Sequence, residues 1–590
     1  MSEIKEIMLR GLGVSPGVGI GAIYRVQIDK IEEIAKTFTT EEEELYRLRI
    51  AVDNYCHQTY AAFQEMRDLI GREDALILGG QIMMIRDLDV MEELKVEVQN
   101  RNTAEQAINI VLTRYQTAFQ AMTDEVLSQR GDDVADLRRG ILLQLMGGQP
   151  SQTIKTKNPI VLCVEEITPS LMATIAQANV VAIISEVGGS TSHSAILARS
   201  MGIPAVFGVE NLFSLAEHDL PVVVDGIEGT IYLNPPRPTI EKYTQKTLRY
   251  QQKSDQLKAY ATLPTQTADG KAISLFANIS ELGQLHSAKE VGAEGVGLFR
   301  TEFLFLGAEV APTEQEQYTN YCRLAKLMEG KPVVIRTLDV GGDKMPTALS
   351  MKREENPNLG RRAIRYSMYD VPLFHAQLRA ILRAYHTNPN ISILIPLIVG
   401  MEEVTWAKQQ IQSCRLQLEN EGITLESLPS FGVVLETPAS VIVMDLLAEE
   451  VDFFSVGTND LLQYVIAADR GNSKVATVYN PFHLSFLRML KYVAIQGKES
   501  NIPITICGEA ATDPRMIPLL LAFGFSEFSV SPTGILSVRR DLSLWNDESL
   551  QEIEKTVLSL KTPKEIEHYL SKKFQSLDAE MTRKSQLASV

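Results

Sequence analysis

The stretch Phe453–Asp460, FFSVGTND, sets a pattern that recurs through the second half of the chain. Its apolar run, Phe453–Thr458, is followed at once by side chains suited to binding, Asn459 and Asp460. Seven similar short runs surround it, at Ile273–Asn278, Gly295–Arg300, Val333–Asp339, Ile391–Leu397, Gly432–Glu436, Ile504–Gly508 and Glu527–Ser531, separated by segments of helical character. Strands alternating with helices at this spacing predict parallel βαβ units, and eight of them over residues 265–540 predict a (β/α)₈ barrel of the TIM type. Polar residues cluster at the ends of the runs: Arg300, Arg336, Asp339, Glu436, Asn459, Asp460, Cys507 and Glu509. Barrel active sites are built at that rim.

Upstream the texture differs. Residues 1–30 are Gly-rich and β-like, and a helical block follows from about 35 to 147. Thr40 to Glu43 reads as a capping box, and Leu45, Leu48, Val52 and Tyr55 then recur at helical spacing, which predicts a bundle of αα-hairpins. From Ile160 short β-rich runs return, at Ile160–Val164, Val180–Ser185 and Val222–Asp225, closing on Gly229–Tyr232. The expected organisation is α/β and multidomain. A small α/β domain comprises 1–30 with 148–237, and 31–147 is a helical insertion in it. A polar linker helix covers 238–262, the barrel 263–545, and a helical tail 546–590.

Composition narrows the class without naming a chemistry. The 590 residues are 45% hydrophobic and 22% charged, ample for several buried cores. No stretch approaches ~18 consecutive apolar residues, so membrane insertion is not expected, and Met1–Arg10 lacks the apolar run of a secretory signal. The five cysteines, Cys56, Cys163, Cys322, Cys414 and Cys507, are scattered, which fits a reducing cytoplasm better than a disulfide framework or zinc site. A net charge of −17 argues against nucleic-acid binding, which needs a basic surface.

The main nucleophile candidate lies before the barrel. Gly188-Gly189-Ser190-Thr191-Ser192-His193 runs into Ser194-Ala195-Ile196-Leu197-Ala198-Arg199. The glycines allow a tight turn after the Val180 run, and the hydroxyls offer donors. His193 then falls in the first turn of a predicted helix, where free N–H groups and the dipole favour an anion such as a phosphoryl group on the imidazole. A lone histidine is more often structural; this setting is what singles His193 out.

Within the barrel, Arg300 and Arg336 each end a predicted strand. Converging guanidiniums suit a doubly anionic ligand, because their donor forks match phosphate and carboxylate. Either one alone could instead pair with Glu302 or Asp339. Glu436 and Asp460, with Asn459 adjacent, make a two-carboxylate site suited to Mg²⁺, which takes oxygen ligands and keeps waters. Arg470 adds a third cation. Cys507 has two readings: a buried core thiol, or, beside those cations, the proton donor to a carbanion or enolate.

These residues lie in recognisable motifs. GGSTSHSAILARSMGIPAVFG (188–208) resembles the phosphohistidine signature of the phosphoenolpyruvate-utilising enzymes. RTEFLF (300–305), IRTLDVGGDK (335–344), ENPNLGRRAIR (355–365), VLETPAS (434–440), FFSVGTNDLLQY (453–464), DRGN (469–472) and ICGEA (506–510) resemble their barrel signatures in the same order. The resemblance runs from GLGVSPGVGIG at residue 11 to EFSVSP at residue 532 and is nearest to the enzyme I branch of the bacterial phosphotransferase system. Pyruvate phosphate dikinase and phosphoenolpyruvate synthase share the histidine domain and barrel but need a large ATP-binding domain, for which the motif order leaves no room.

The resemblance implies that the α/β domain is a phosphohistidine domain carrying His193. Arg300, Arg336, Arg362, Lys344, Asn459, Asp460 and Arg470 would bind phosphoenolpyruvate, Glu436 and Asp460 would hold Mg²⁺, and Cys507 would donate the proton. It implies transfer from His193 to the phosphocarrier protein HPr, the helical insertion as carrier-binding domain, and a homodimer through the barrel. The alternatives are a dikinase- or synthase-like enzyme acting on a small molecule, and a regulatory relative with reduced catalysis. The sequence departs from the family at Gln81, where a histidine is usual, at Ala135, where an arginine is usual, and around Asn480–Ser485.

Overall fold

Strand β3 (Val18–Arg25) and strand β4 (Ile160–Val164) are hydrogen-bonded neighbours, although five helices lie between them in the chain. This comes from a computed structural model, which describes residues 6–26, 37–70, 72–120, 125–146, 158–165, 167, 171, 175, 179–187, 195, 198, 201–305, 310–341, 349, 354–470, 475 and 478–588. The chain divides into two compact units, Met1–Ser254 and Asp255–Val590.

In the first unit β1 (Ile7–Arg10), β2 (Leu12–Ser15), β3, β4, β5 (Val180–Ser185), β6 (Ala205–Phe207), β7 (Pro221–Asp225) and β8 (Thr230–Leu233) form one sheet, ordered β1-β8-β7-β3-β4-β5-β6-β2. β3 to β6 run parallel, with β4 pairing Ala22↔Ile160 through Arg25↔Cys163 on one side and β5 on the other. Every residue of β4 is buried, as a central parallel strand covered on both faces requires.

The helices inserted between β3 and β4 are α1 (Glu41–Ile70), α2 (Arg72–Ile85), α3 (Leu88–Gln99), α4 (Ala104–Gln120) and α5 (Glu125–Leu145). At the start of α1, Glu43 N–H donates to Thr40 Oγ1 at 3.2 Å. Leu48, Val52 and Tyr55 of α1 share a core with Leu94, Val98, Ile108, Val111, Leu137 and Ile141. Inside that core Tyr55 O–H donates to Gln81 Oε1 at 2.8 Å, and Gln81 Nε2 donates to Asp136 Oδ2 at 3.0 Å. Gln81 is 2% exposed, and its amide joins α1, α2 and α5 inside the bundle.

After β8 a helix spans Arg237–Lys258. Its first half is tied to the sheet: Tyr243 is buried with Val18 and Val223, and Lys246 pairs with Asp225 and Glu228.

The second unit is a closed barrel of eight parallel strands, β9 (Ser274–Ile279), β10 (Val296–Arg300), β11 (Val333–Arg336), β12 (Ile391–Ile395), β13 (Phe431–Leu435), β14 (Phe453–Gly457), β15 (Ile504–Cys507) and β16 (Glu527–Val530). β16 closes on β9 through Glu527↔Ser274 to Val530↔Ala277. The fold expected from the eight apolar runs is present. Several strands stop one to three residues before their runs do; after Thr337, which still donates to Leu394 O, the Leu338 N–H turns away to Gln377 Oε1. Successive side chains on a strand point to opposite faces. Phe454 and Val456 join the large outer core, while Leu298, Leu394, Val434 and Cys507 pack together with Val334 and Phe453 inside the barrel. Arg300, Arg336 and Glu436 lie two residues beyond Leu298, Val334 and Val434, so the same parity turns them inward at the strand ends.

At the other end of the chain Arg539, 2% exposed, donates to the carbonyls of Tyr260, Val291 and Gly292 and to Thr265 Oγ1. Leu550, Ile553, Val557, Ile566 and Leu570 of the C-terminal helices Asp547–Val557 and Pro563–Ala588 join the barrel's outer core.

Replacing Gln81 by Leu keeps the bulk and removes the amide between Tyr55 and Asp136. The helical bundle is expected to lose ~1–3 kcal/mol, the usual result of breaking buried hydrogen bonds, read as a lower denaturant midpoint for its far-UV circular dichroism.

Candidate active site

The barrel rim is organised by ion pairs that reach across loops. Arg336, the last residue of β11, donates from Nη2 to Glu302 Oε1 at 2.6 Å, and its Nη1 lies 3.2 Å from Asp339 Oδ2. Arg362 comes from the loop after β11 and meets the same Asp339, with Nη2 3.1 Å from Oδ1. Its Nη1 donates to Asp460 Oδ1 at 3.2 Å. Arg470 reaches Asp460 more loosely, at 3.9 Å. Arg336, Arg362, Asp339, Glu436 and Asp460 are all buried. Burial opposes charge on both arginines, but Glu302 and Asp339 around Arg336, and Asp339 and Asp460 around Arg362, outweigh it and hold both guanidiniums charged.

The pairing partners expected from sequence are therefore present, but both belong to Arg336. Arg300 has no ion pair among the described residues and stays half-buried at the end of β10. The ion pairs also leave donors unused: Arg336 Nε and Arg362 Nε are buried without a hydrogen-bond partner among the described residues. Buried donors left unmatched are costly.

Backbone geometry aims these side chains. Ala363 has φ +52° immediately after Arg362, a region costly for any residue with a Cβ, and its N–H donates to Val340 O at 3.0 Å. Tyr464 holds the same loop, its O–H donating to Asn358 O at 2.5 Å. Leu397, also left-handed at φ +58°, points its N–H at Glu436 Oε1, 2.6 Å away. The other oxygen of Glu436 faces Gly457, where a Cβ would sit only 2.7 Å from Oε2; this glycine is needed for room. Gly508 sits at φ +103° beside Thr458 and Asn459, and the next amide, Glu509 N–H, donates to Asn459 Oδ1 at 3.1 Å. That bond leaves the Asn459 amide nitrogen able to donate.

Burial, reinforced by Asp460 and Asp339, pushes the Glu436 carboxyl up to about 8 against the pull of Arg362 and Arg336. The Cys507 thiol is also raised by burial, with the Ser455 hydrogen bond and the charges of Arg336 and Arg300 acting the other way. Cys507 is thus a protonated thiol near neutral pH. Its Sγ accepts from Ser455 Oγ at 3.2 Å and donates to Val456 O at 3.1 Å.

The rim brings together eight of the residues picked out from sequence: Arg300, Arg336, Arg362, Glu436, Asn459, Asp460, Arg470 and Cys507. His193 and Lys344 lie outside the described residues. In the sequence Asp339 reads only as a strand-end polar group and possible ion-pair partner, yet in the fold it joins two arginines. Ser455, Tyr464 and Leu397 were not singled out. For Ser455 the signal was available: it shares the inward parity of Gly457, whose register partner is Cys507.

Family models match along the chain in the order of its architecture. Residues 10–130 match the N-terminal region of the PEP-utilising enzymes, 156–229 their mobile domain, and 254–546 their PEP-binding domain. A phosphoenolpyruvate-protein phosphotransferase of Geobacillus stearothermophilus is 36% identical over 97% of this chain and 99% of its own length. Proteins of the same name from Bacillus sp. (strain S) and Priestia megaterium are 35% and 34% identical, again over 97% of this chain and 99% of theirs. The chain belongs to the phosphoenolpyruvate–protein phosphotransferase family. As a member of that family it is a transferase, and the rim of its barrel lies in the part that matches the PEP-binding domain. No helix among the described residues is long and apolar enough to cross a membrane.

The raised Glu436 carboxyl has a consequence for stability. In the unfolded chain it releases its proton near 4.5, and in the folded barrel near 8, so between these values the folded state binds more proton. The stability from that proton is complete below about pH 4.5 and is lost as pH rises toward 8. In chelator-treated protein the denaturant midpoint of the barrel is expected to fall across this window, and less so in Glu436→Gln.

Proposed function

We propose that the protein transfers the phosphoryl group of phosphoenolpyruvate to His193, releasing pyruvate, and then passes it to a histidine of the phosphocarrier HPr. The observation that carries this reading is the pair of buried, charged arginines, Arg336 and Arg362, each with an Nε that has no partner among the described residues, beside a protonated buried thiol in a barrel that matches the PEP-binding domain. Phosphoenolpyruvate presents a phosphate and a carboxylate on a small carbon frame, which suits several guanidinium forks in one pocket.

In this reading Arg300, Arg336, Arg362 and Arg470 neutralise the ligand's oxygens, and Asn459 and Lys344 add donors. Glu436 and Asp460 would hold Mg²⁺. The upward shift of Glu436, partly caused by Asp460, fits residues whose mutual repulsion a dication would relieve. Among the described residues no three acidic, histidine or cysteine side chains gather as a metal site, so the remaining ligands would be water and substrate oxygens. When bound, Mg²⁺ supplies charge stabilisation to the phosphoryl oxygens and the enolate.

The chain's own part is then acid–base and nucleophilic. His193 attacks phosphorus in line, the bond between phosphorus and the enol oxygen breaks, and the resulting enolate takes a proton from Cys507 at its terminal carbon. Protonation to pyruvate favours the forward direction. Carrier binding on the inserted helices, a homodimer through the barrel and a cytoplasmic setting complete the proposal. The near-complete overlap with protein phosphotransferases favours a protein acceptor over a small molecule.

Two measurements test this. With labelled phosphoenolpyruvate and Mg²⁺ the protein should acquire an acid-labile, base-stable label that His193→Ala and excess chelator abolish; no label on the wild type would sink the reading. Arg362→Lys keeps the charge but cannot bridge Asp339 and Asp460 as a fork, and is expected to lower kcat/KM for phosphoenolpyruvate by about 30- to 1000-fold.

A further inference from the structure

The sulphur of Cys507 has an unusual environment for a group that must give up a proton. Leu298, Leu394 and Val434 pack with it inside the barrel, and Val334 and Phe453 lie against them. A thiolate formed there has little water to solvate it. Its direct polar contacts come from the neighbouring strand β14: Val456 O accepts the thiol proton at 3.1 Å, and Ser455 Oγ donates to Sγ at 3.2 Å. Ser455 is 1% exposed, and its hydroxyl donates no other hydrogen bond among the described residues. A buried hydroxyl in a strand is an expensive way to fill space, since an alanine would avoid its desolvation. Its one bond goes to the atom whose charge changes in the reaction.

We propose that Ser455 is a positioning residue for the proton transfer, holding the Cys507 sulphur and stabilising the thiolate left behind. This rests on the reading of Cys507 as proton donor. In the step concerned, the S–H bond breaks and its electron pair stays on sulphur. The enolate's C=C pair forms the new C–H bond, the enolate oxygen becomes the ketone of pyruvate, and solvent later returns a proton to sulphur. Before transfer, the Ser455 hydroxyl donates to a neutral thiol, a weak acceptor. Afterwards it donates to a thiolate, a strong one, so the bond is worth more in the transition state than in the ground state. The Val456 carbonyl acts oppositely: it orients the thiol but gives nothing to the anion. Arg300 and Arg336 help the thiolate by charge, and only Ser455 donates a hydrogen bond to it among the described residues.

The test is rapid-quench measurement of pyruvate formation from phosphoenolpyruvate and Mg²⁺, in H₂O and D₂O, for wild type, Ser455→Ala, Ser455→Thr and Cys507→Ala. Ser455→Ala should slow pyruvate formation by about 10- to 100-fold, the worth of one hydrogen bond to an ion. Its solvent isotope effect should rise above the wild-type value, with the dissociation constant for phosphoenolpyruvate unchanged. Ser455→Thr, which keeps the hydroxyl, should stay near wild type. Should Ser455→Ala fail to fold, Ser455→Cys, similar in size but a weaker donor, is read by the same criteria. A wild-type rate and isotope effect in the Ser455 variant, with Cys507→Ala slow, overturns this proposal and leaves the role of Cys507 standing. Slow turnover with weakened binding and an unchanged isotope effect also overturns it, because that is the signature of a purely structural residue. A Cys507→Ala enzyme as fast as wild type removes the proton-donor reading and this proposal together.

Discussion

The buried carboxylate of Asp339 is the contact on which the barrel rim depends. It faces Arg336 from the end of β11 and Arg362 from the loop beyond, 3.2 and 3.1 Å away. Two guanidiniums this deeply buried would be unfavourable without matching anions, and one anion shared between them fixes their relative position. Glu302 and Asp460 complete the pairing from outside. The ion pairs engage the terminal nitrogens and leave both Nε atoms without a partner among the described residues. The guanidiniums are thereby held in fixed positions, which suits the electrostatic preorganisation that the proposed phosphoryl transfer calls for.

The same burial sets protonation. Glu436 and Cys507 both hold their protons more tightly than they would in water, and burial is the leading cause in each. The consequences differ with the neighbours. Glu436 lies against other carboxylates, so its proton competes with any cation that enters. Cys507 lies among apolar side chains with a hydroxyl at its sulphur, a setting that keeps a thiol available as an acid. One low-dielectric rim thus supports both a cation-binding and a proton-donating role in the proposed reaction.

Two strained backbone positions lie at the rim. Ala363 and Leu397 take left-handed backbone although neither is glycine, and each bears directly on a charged group, Arg362 by adjacency and Glu436 through an N–H. Such positions cost of order 1–3 kcal/mol each and persist only where the surroundings impose them. Tyr464 anchoring Asn358 and the Val340 carbonyl holding Ala363 N–H supply that constraint.

Much of this was legible in the primary structure. Eight apolar runs with polar ends determined a barrel, because strand length, spacing and the need to cover a parallel sheet leave few other solutions. The motifs determined the family and most of the rim residues, since guanidiniums, carboxylates and a thiol at strand ends carry their chemistry in their side-chain type. What the runs could not determine was pairing across loops. The rivals of Arg300 for Glu302 and Asp339, the sharing of Asp339 with Arg362, and the burial of Gln81 between Tyr55 and Asp136 depend on distances between segments far apart in sequence. The opening stretch FFSVGTND shows the division. Its composition announced a strand ending in ligands, but only the closed barrel, by setting β14 against β15, put the Ser455 hydroxyl on the sulphur of Cys507.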